Sequence, residues 1–398
     1  MTAPLDNIRV LDIGTLLAGP WSTTLLSDFG AEVIKVEQPD IGDALRGSPR
    51  DGRPGMPLHW AVEARNKKSI TLNLRVEEGQ SLLKRLVAQS DVLVENFTPG
   101  TLEKWGLGWE ALQEVNPALI MVRVSGYGQT GPYSERPGYD RIALGVSGYM
   151  YPTGFPDRMP VRPAFPTADY NTATFAAFAA MLALYERDAK GGQGQMIDLA
   201  LYEAPFRITG SLIAAWEKTG QNRERIGNRN PGFAPAGTFA TSDGRYLQIA
   251  AGGDGVWQRL ARVVGGVELA EDDRYLSSRD RIEAADELEA LIAQWVGART
   301  FAEAEAALID AGVPAGGILR AQDIATDKHF LERESLIHVD DPVHGEIGMP
   351  GVIPKLSGTP GSVKWTGPQL GAHNQEIYSG LLGLSHERVA KLAEEGVI

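Results

Sequence analysis

The feature that most constrains the fold is a strand, a short helix and a second strand at the start of the chain. Residues 8–13 form a short apolar run that predicts a buried strand, and residues 31–37 form another. Between them, Pro20 stands where a helix would begin and Gly30 where it would end. A helix that joins two strands in this way makes them parallel, so the stretch predicts an open α/β sheet.

Four later apolar runs extend this pattern. They lie at residues 70–74, 91–95, 119–124 and 195–201. Several of these runs end in loops that carry Gly, Asn, Pro or an aromatic residue. Because ligands of an open parallel sheet bind outside the carboxyl ends of its strands, we expect these loops to line one site.

The end of the second predicted strand carries an acid, Glu37, that would suit the ribose of a dinucleotide. The first turn, residues 14–19, does not contain the G-x-G-x-x-G pattern, so the sequence does not favour NAD binding. The following segment, residues 38–60, is rich in Gly and Pro and contains Arg46, Arg50 and Arg53. These arginines are either solvated charges or part of an anion-binding loop.

Composition excludes several classes of function. The chain has 398 residues, more than one typical domain, and its formal net charge of -13 argues against nucleic-acid binding. It contains no cysteine, which excludes disulfides, a thiol nucleophile and cysteine metal ligands. Its six histidines show no zinc-binding spacing, and we predict no metal site. The remaining candidate for catalysis is chemistry carried by carboxylates.

The chain shows no targeting signal that we can identify. Its first residues lack a basic segment followed by an apolar run, and no window reaches the roughly 18 consecutive apolar residues of a membrane span. We therefore expect a cytoplasmic protein without a membrane partner.

The candidate acid is Asp169. A proline-rich loop leads to it, and the small and apolar residues 172–187 that follow predict a long, closely packed helix. Asp is a preferred helix cap, and this stretch alone favours capping as its role. Alternatively, a carboxylate in the first turn of a buried helix is stabilised by the helix dipole and can act as a nucleophile.

Several motifs in sequence order closely resemble those of the class III coenzyme A transferases, the formyl-CoA transferase or CaiB/BaiF type. The resemblance runs from about Pro4 to the C-terminal helix. The motifs are residues 9–12 (RVLD) with 18–20 (AGP), 31–37 (AEVIKVE), 65–69 (RNKKS), 95–100 (ENFTPG), 125–132 (SGYGQTGP), Tyr139–Asp140 and Ala168–Asp169.

The resemblance implies an α/β fold in which two ring-like chains interlock as a homodimer. Each chain would have a large Rossmann-like domain built from both chain ends and a smaller α+β middle domain. A polar, irregular stretch at residues 219–235 fits a linker. We therefore predict a first part of the large domain at 1–218, the small domain at 236–334 and a return to the large domain at 335–398.

Asp169 matches the catalytic aspartate of the family. The resemblance implies that its carboxylate attacks the thioester of an acyl-CoA and forms an aspartyl anhydride, followed by an aspartyl-CoA thioester. The expected substrates are an acyl-CoA and a carboxylic acid, with no tightly bound cofactor.

The resemblance also implies a set of CoA-binding residues. Lys104 and Arg136 could meet CoA phosphates or be ordinary surface charges, and Phe97 could equally be a core residue. Position 38 departs from the family, which is often basic there. The set is Ala18, Gln38, Leu72, Asn96, Phe97, Lys104, Arg136 and Tyr139.

A glycine-rich stretch, Gly252-Gly253-Asp254-Gly255, resembles the flap that covers the active site in this family. The local pattern by itself favours a simple turn from a strand into a helix. We therefore expect the four residues to be part of the substrate site, with the turn as the alternative.

The branch of the family is predicted from departures. Thr15-Leu16-Leu17 lacks the polar residues of oxalate-using members, and Tyr139 stands where the related 2-methylacyl-CoA racemases have a histidine. Four arginines favour a dicarboxylate acceptor, with succinyl-CoA as the donor by resemblance. The alternatives are a racemase and an inactive subunit of a hetero-oligomer. The four are Arg65, Arg141, Arg158 and Arg162.

Overall fold

The computed structural model describes residues 3–47, 52–53 and 56–398. The chain forms two compact units. The first contains Met1–Tyr149, Pro163–Gly210 and Lys328–Ile398, and the second contains Met150–Arg162 and Ser211–Asp327. The domain boundaries given above stay predictions.

The strands of the described residues are short. They are β1 Arg9–Asp12, β2 Glu32–Glu37, β3 Gly52–Arg53, β4 Met56–Pro57, β5 Lys67–Thr71, β6 Val92–Glu95, β7 Ile120–Ser125, β8 Met196–Ala200, β9 Ala236–Ala240, β10 Tyr246–Ala250, β11 Ala315–Gly317, β12 Leu336–Asp341 and β13 Gly345–Pro350.

The helices vary more in length. They are α1 Pro20–Asp28, α2 Leu58–Glu63, α3 Glu77–Val87, α4 Thr101–Lys104, α5 Trp109–Val115, α6 Asp140–Val146, α7 Thr167–Lys190, α8 Glu203–Arg207, α9 Leu212–Thr219, α10 Asp254–Ala270, α11 Ser278–Glu283, α12 Ala285–Gly297, α13 Phe301–Asp310, α14 Ala321–Ile324, α15 Lys328–Glu332 and α16 His386–Glu394.

The first unit is organised around a six-stranded sheet of order β5-β2-β1-β6-β7-β8. Every neighbouring pair in it is parallel, and β1 pairs with both β2 and β6. The carboxyl ends of all six strands therefore share one edge. This confirms the mixed α/β fold with a parallel sheet.

Strands β6 and β7 of this sheet are buried along their whole length, as expected for a parallel sheet covered on both faces. Their charged residues are paired across the sheet. Glu95 on β6 accepts from Arg123 on β7 at 2.7 Å. Burial raises the pKa of Glu95 to about 6 even though Arg123 opposes that shift.

Helix α7 is long and packs against α1, α6 and β7. Its buried face consists mainly of alanines, which permit close approach of neighbouring backbones. Those alanines are Ala168, Ala173, Ala176, Ala177, Ala180 and Ala183. Its first turn, which contains the buried Ala168, is thereby packed within the first unit. Among the described residues, no helix has the length and apolar content needed to cross a membrane.

The second unit has a three-stranded antiparallel sheet of order β11-β10-β9. The sequence around Ser242-Asp243-Gly244 predicts a hairpin, and β9 and β10 form it, with Gln248 opposite Thr238. A core of its own includes Trp257 and Tyr275, whose rings meet edge to face at 6.0 Å.

Two predicted elements differ from the structure. The sequence of residues 202–216 predicts one helix, but the structure has two. Helix α8 ends at Arg207 and α9 begins at Leu212, and between them Gly210 has a φ of 64°, in the left-handed region. The third predicted strand, at 70–74, begins three residues earlier as β5. The prediction places Lys67 and Lys68 before this strand. In the structure both belong to β5, where Lys67 Nζ donates to the buried Asp12 at 2.8 Å and Lys68 Nζ donates to Glu32 at 2.6 Å.

Candidate active site

A cavity of about 210 Å³ lies at the carboxyl edge of the parallel sheet. It contains the predicted nucleophile, Asp169, which is half-buried. Loops that follow β1, β6 and β7 form most of the remaining wall, as the sequence pattern predicts. The lining residues are Thr15, Leu16, Leu17, Ala18, Asn96, Thr98, Val124, Ser125, Gly126, Pro137, Gly138, Tyr139, Asp169 and Leu201.

The start of α7 is capped by a different acid. Pro166 occupies the N-cap position and Asp169 is the third residue of the helix. The backbone N–H of Ala168 donates to Asp140 Oδ1 at 2.8 Å. Asp140 therefore caps the N–H of Ala168, while Asp169, for which capping stays a prediction, stands in the cavity wall.

Tyr170, the neighbour of Asp169, fixes the first turn of α7 from the other side. Its hydroxyl donates to Glu63 Oε1 at 2.9 Å, and its ring meets Trp21 edge to face at 4.9 Å. Burial raises the pKa of Tyr170, and the negative charges of Glu63 and Asp169 raise it further. Tyr170 therefore stays neutral and acts as a hydrogen-bond donor.

The β1–α1 loop, residues 13–19, supplies four neighbouring lining residues. Thr15 N–H donates to Asn96 Oδ1 at 2.7 Å, and Asn96 Nδ2 donates to the Thr15 carbonyl at 2.8 Å. Asn96 thus uses both ends of its amide on the backbone of this loop. These two hydrogen bonds join the loop after β6 to the β1–α1 loop.

The loop after β7 approaches another backbone segment at two glycines. A Cβ on Gly126 would lie 2.7 Å from the Cα of Gly138, and a Cβ on Gly138 would lie 2.5 Å from the Cα of Gly126. Only glycine permits this approach without a shift. It brings Pro137 and Tyr139 to the cavity, where the Tyr139 side chain is largely exposed.

A second cavity of about 270 Å³ adjoins the first along the sheet edge, since Thr15 lines both. It contains Gln38, Leu72 and Phe97 of the predicted CoA set. Ala18, Asn96 and Tyr139 line the Asp169 cavity instead. The structure thus brings six of the predicted residues to two neighbouring cavities of one unit.

Arg75 is a lining residue of the second cavity that the sequence analysis missed. Its Nη1 donates to Gln38 Oε1 at 3.1 Å, so it places a cation beside the position where the family is often basic. The sequence position of Arg75 could have indicated this placement, because it lies in the loop after β5, at the same carboxyl edge of the sheet.

Lys104 and Arg136 are exposed and lie outside both cavity linings. The guanidinium of Arg136 lies 3.7 Å from the centre of the Tyr133 ring. A role at CoA phosphates stays a prediction for both, beside the alternative of a surface charge.

The glycine-rich stretch belongs to the second unit and connects β10 to α10. Arg281, which is fully buried, donates to the Gly252 carbonyl at 2.8 Å and to Asp254 Oδ1 at 2.6 Å. A Cβ on Gly252 would lie 2.2 Å from the Phe233 side chain. Locally the stretch is a strand-to-helix turn, and its role as a flap stays a prediction.

Other predicted charges have structural partners elsewhere. Arg65 pairs with Asp28 at 2.6 Å and donates to the Pro350 carbonyl, so it is not an acceptor-binding residue. Arg46 is buried against Glu37 at 2.7 Å, which makes it neither a solvated charge nor a free anion site.

The remaining arginines do not line the Asp169 cavity. Arg141 is exposed on α6, and Arg158 and Arg162 belong to the second unit. Arg50 and the side chain of Arg53 lie outside the described residues. Within the described ranges, no group of three or more metal-binding side chains occurs.

Comparison with known proteins supports one family over the whole chain. A family model described as CoA-transferase family III matches residues 5–374. The succinyl-CoA–D-citramalate CoA-transferase of Chloroflexus aurantiacus is 48% identical over 99% of this chain and 98% of its own length. The beta subunit of the succinyl-CoA–L-malate CoA-transferase of the same organism is 44% identical over 100% of this chain and 98% of its own length.

A solved structure agrees with these matches. A CAIB/BAIF family protein from Brucella suis has 36% sequence identity and a TM-score of 0.85, and the match covers 96% of this chain and 100% of that one. The resemblance drawn from the sequence motifs is confirmed. The chain belongs to CoA-transferase family III, and its activity is the transfer of CoA between an acyl-CoA and a carboxylic acid.

Proposed function

We propose that this chain transfers CoA from succinyl-CoA to a dicarboxylic acid, with Asp169 as the nucleophile. The observation that carries the proposal is the placement of Asp169 in the wall of the sheet-edge cavity, at a helix start whose cap is supplied by Asp140. The carboxylate is thereby positioned by a rigid helix.

The first half of the reaction loads CoA onto the enzyme. The Asp169 carboxylate attacks the thioester carbonyl carbon, the C–S bond breaks and CoA thiolate leaves, which gives a succinyl–aspartyl anhydride. The thiolate then attacks the aspartyl carbonyl carbon and expels succinate. The enzyme now carries an aspartyl-CoA thioester.

The second half reverses these steps with the acceptor. The acceptor carboxylate attacks the aspartyl thioester, expels the thiolate and forms a new anhydride. The thiolate attacks the acceptor acyl carbon, which releases the new acyl-CoA and restores Asp169. Every step passes through an oxyanion, which backbone N–H donors stabilise. Among the described residues, the N–H groups of Leu17 and Ala18 have no acceptor, and both residues line the cavity.

The adjoining cavity suits the CoA moiety. Phe97 and Trp105 provide an aromatic wall, and their rings meet edge to face at 5.4 Å. Arg75 provides a positive charge on the same cavity, beside Gln38. A CoA bound there extends its thiol past Thr15 toward Asp169, because Thr15 borders both cavities.

The proposal of a dicarboxylic acceptor rests on the relatives and on the polar lining. The two relatives compared above are named for D-citramalate and L-malate. In the Asp169 cavity, Thr15, Thr98 and Ser125 provide hydroxyl groups. Ser125 Oγ is buried and has no hydrogen-bond partner within the described part of the chain. A hydroxyl or carboxylate of the acceptor would provide its hydrogen-bond partner.

The racemase alternative lacks a suitable base. Tyr139, where racemases have a histidine, is largely exposed, and a neutral-pH base is needed to exchange an α-proton. A supporting-subunit role has one observation in its favour, since the malate-specific relative is named as a subunit. The nucleophile Asp169 favours an active chain.

The decisive experiment is a mass-spectrometric assay in deuterated water. The purified protein receives succinyl-CoA with a panel of mono- and dicarboxylic acids, and separately a 2-methylacyl-CoA. A new acyl-CoA without deuterium supports the proposal and identifies the acceptor class. Deuterium at the α-carbon of the 2-methylacyl-CoA, without CoA exchange, would assign the chain to the racemases.

The covalent intermediate offers a second test. Enzyme incubated with succinyl-CoA alone and then treated with borohydride should carry a reduced side chain at Asp169 in the peptide that spans the start of α7. Modification at another carboxylate would exclude the assigned nucleophile.

We further propose the interlocked homodimer that the family resemblance implies. Interlocked chains cannot exchange without unfolding. Mixtures of tagged and untagged protein should therefore form no mixed dimers under native conditions, but should form them after co-refolding. Native exchange, or a monomer by light scattering, would contradict this arrangement.

A further inference from the structure

The backbone of the β1–α1 loop is bonded to buried charged side chains. Gly14 N–H donates to Asp12 Oδ1 at 3.2 Å, and the Gly14 carbonyl accepts from Lys35 Nζ. Leu16 N–H donates to Asp43 Oδ1 at 3.1 Å. Between these residues, Asn96 bonds both the N–H and the carbonyl of Thr15. Every polar backbone group from the Gly14 N–H to the Leu16 N–H is therefore hydrogen-bonded to a side chain.

These side chains form one buried network with a balanced charge. Asp43 Oδ2 lies 3.0 Å from Lys35 Nζ, and Asp12 lies 3.4 Å from Lys35 and 2.8 Å from Lys67. All four side chains are nearly inaccessible to solvent. Burial opposes ionisation of Asp12, but the two lysines outweigh it and hold its pKa below the usual value.

The network also holds the far end of the loop. Lys67 Nζ donates to the carbonyl of Pro20, the first residue of α1, at 2.6 Å. The loop is therefore tied at its start, its middle and its end. Leu17 and Ala18, which line the Asp169 cavity, lie between two of these ties.

The conformation that the network holds is intrinsically unfavourable. Leu16 has φ of 62°, in the left-handed region that leucine rarely adopts. A backbone in such a region persists only where its surroundings determine it, and such residues cluster at functional sites. The hydrogen bond from the Leu16 N–H to Asp43 constrains the backbone at Leu16 itself.

We propose that Asp43 and Lys35 are positioning residues, which hold Leu16 in its left-handed conformation and thereby set the Leu17–Ala18 wall opposite the nucleophile. A buried ion pair is a weak source of stability, since apolar replacements are often equally stable. Fixing one conformation is the role that the geometry of this pair supports. The kinetic part of this inference rests on the proposed function, whereas the conformational part does not.

The first test is hydrogen exchange, measured by mass spectrometry on a peptide that covers residues 13–19. Asp43→Asn should raise the exchange rate of this peptide about tenfold or more, because Lys35 then faces a neutral amide. Asp28→Asn is the matched control, since Asp28 is also a buried carboxylate paired with a cation, Arg65. It should leave the peptide unchanged.

The second variant keeps the network and removes the Leu16 side chain. In Leu16→Gly, exchange of the same peptide should stay within about threefold of wild type, because glycine adopts the left-handed region freely and the ties remain. Exchange that rises about tenfold or more over wild type would assign the loop conformation to side-chain packing and overturn the proposal. This variant remains informative if Asp43→Asn fails to fold.

Kinetics separate positioning from stability. Asp43→Asn should lower kcat about tenfold or more per folded molecule, with a smaller change in the KM for succinyl-CoA, whereas Asp28→Asn should lower the melting temperature with kcat within about twofold of wild type. Unchanged kcat and exchange in Asp43→Asn would reject the proposal. If the wild type shows no transferase activity, the proposed function fails while the exchange result still decides the role of the network.

Discussion

Two first-turn aspartates, Asp169 on α7 and Asp254 on α10, show how similar sequence signals acquire different roles. Both follow a loop of Pro or Gly and both begin a long helix. Asp169 is half-buried in a cavity wall. The side chain of Asp254 is 74% exposed and accepts from the buried guanidinium of Arg281.

The difference lies in what else stabilises each helix start. At α7, Asp140 on another element caps the N–H of Ala168, so part of the capping of this helix does not depend on Asp169. At α10, Asp254 helps to place Arg281, whose other bonds hold the turn at Gly252. A first-turn carboxylate thus becomes a candidate nucleophile where another group performs the structural task.

Matched amide substitutions give the largest expected contrast. Asp169→Asn should lower the transfer rate by at least about a thousandfold, because an amide cannot form the anhydride, with little change in unfolding temperature. Asp254→Asn should change the rate by less than about threefold. Initial rates with succinyl-CoA measure both. A comparable loss in the two variants would erase the distinction and support a catalytic flap.

Removal of the cation beneath Asp254 tests the structural half of the comparison. Arg281→Met should destabilise the second unit by about 3–5 kcal/mol, because it leaves the carbonyls of Ala234, Tyr275, Leu276 and Gly252 without their donor. Denaturant unfolding and peptide-resolved hydrogen exchange measure this loss. Faster exchange confined to peptides of the first unit would contradict it.

A pair of neighbouring glycines tests the turn itself. Gly252→Ala should cost about 1–3 kcal/mol, because its Cβ would overlap the Phe233 side chain. Gly253→Ala is the matched control, since nothing lies within 4 Å of its Cβ and its φ is -75°. Thermal unfolding of both variants measures the difference. Equal stability would show that Phe233 moves freely and that the turn is not closely packed.

Loss of the cap at α7 is the smallest expected effect. Asp140→Ala should destabilise the first unit by about 1 kcal/mol, the typical value of a helix cap, and should lower kcat about tenfold by loosening the start of α7. Asp140→Asn keeps an acceptor oxygen and should stay near wild type in both respects. Calorimetry and initial rates measure these outcomes, and a normal kcat in Asp140→Ala would remove Asp140 from the positioning of Asp169.

The sequence predicted the parallel sheet well, because buried strands of such a sheet are continuous apolar runs. It was wrong where a charge replaced the apolar pattern, as in the first residues of β5, whose Lys67 is buried against Asp12. It was also wrong at residues 202–216, where Gly210 in the left-handed region lies between two separate helices. Such cases depend on tertiary partners that local patterns do not contain.

The site was predicted in part. Asp169, Asn96 and Tyr139 lie together because strand ends share an edge, which is a rule of topology. The cap at Asp140 could not be predicted, since it joins residues 28 positions apart. Arg65 was misassigned because charge in a sequence does not reveal whether it is paired within the core.

The hydrogen bond from Ala168 to Asp140 has a consequence for how this chain can change. Between its two ends the chain passes through Met150–Arg162, which belongs to the second unit. Both bonded residues belong to the first unit and lie on either side of this segment. We therefore expect insertions within residues 150–162 to leave the start of α7, and with it Asp169, in place.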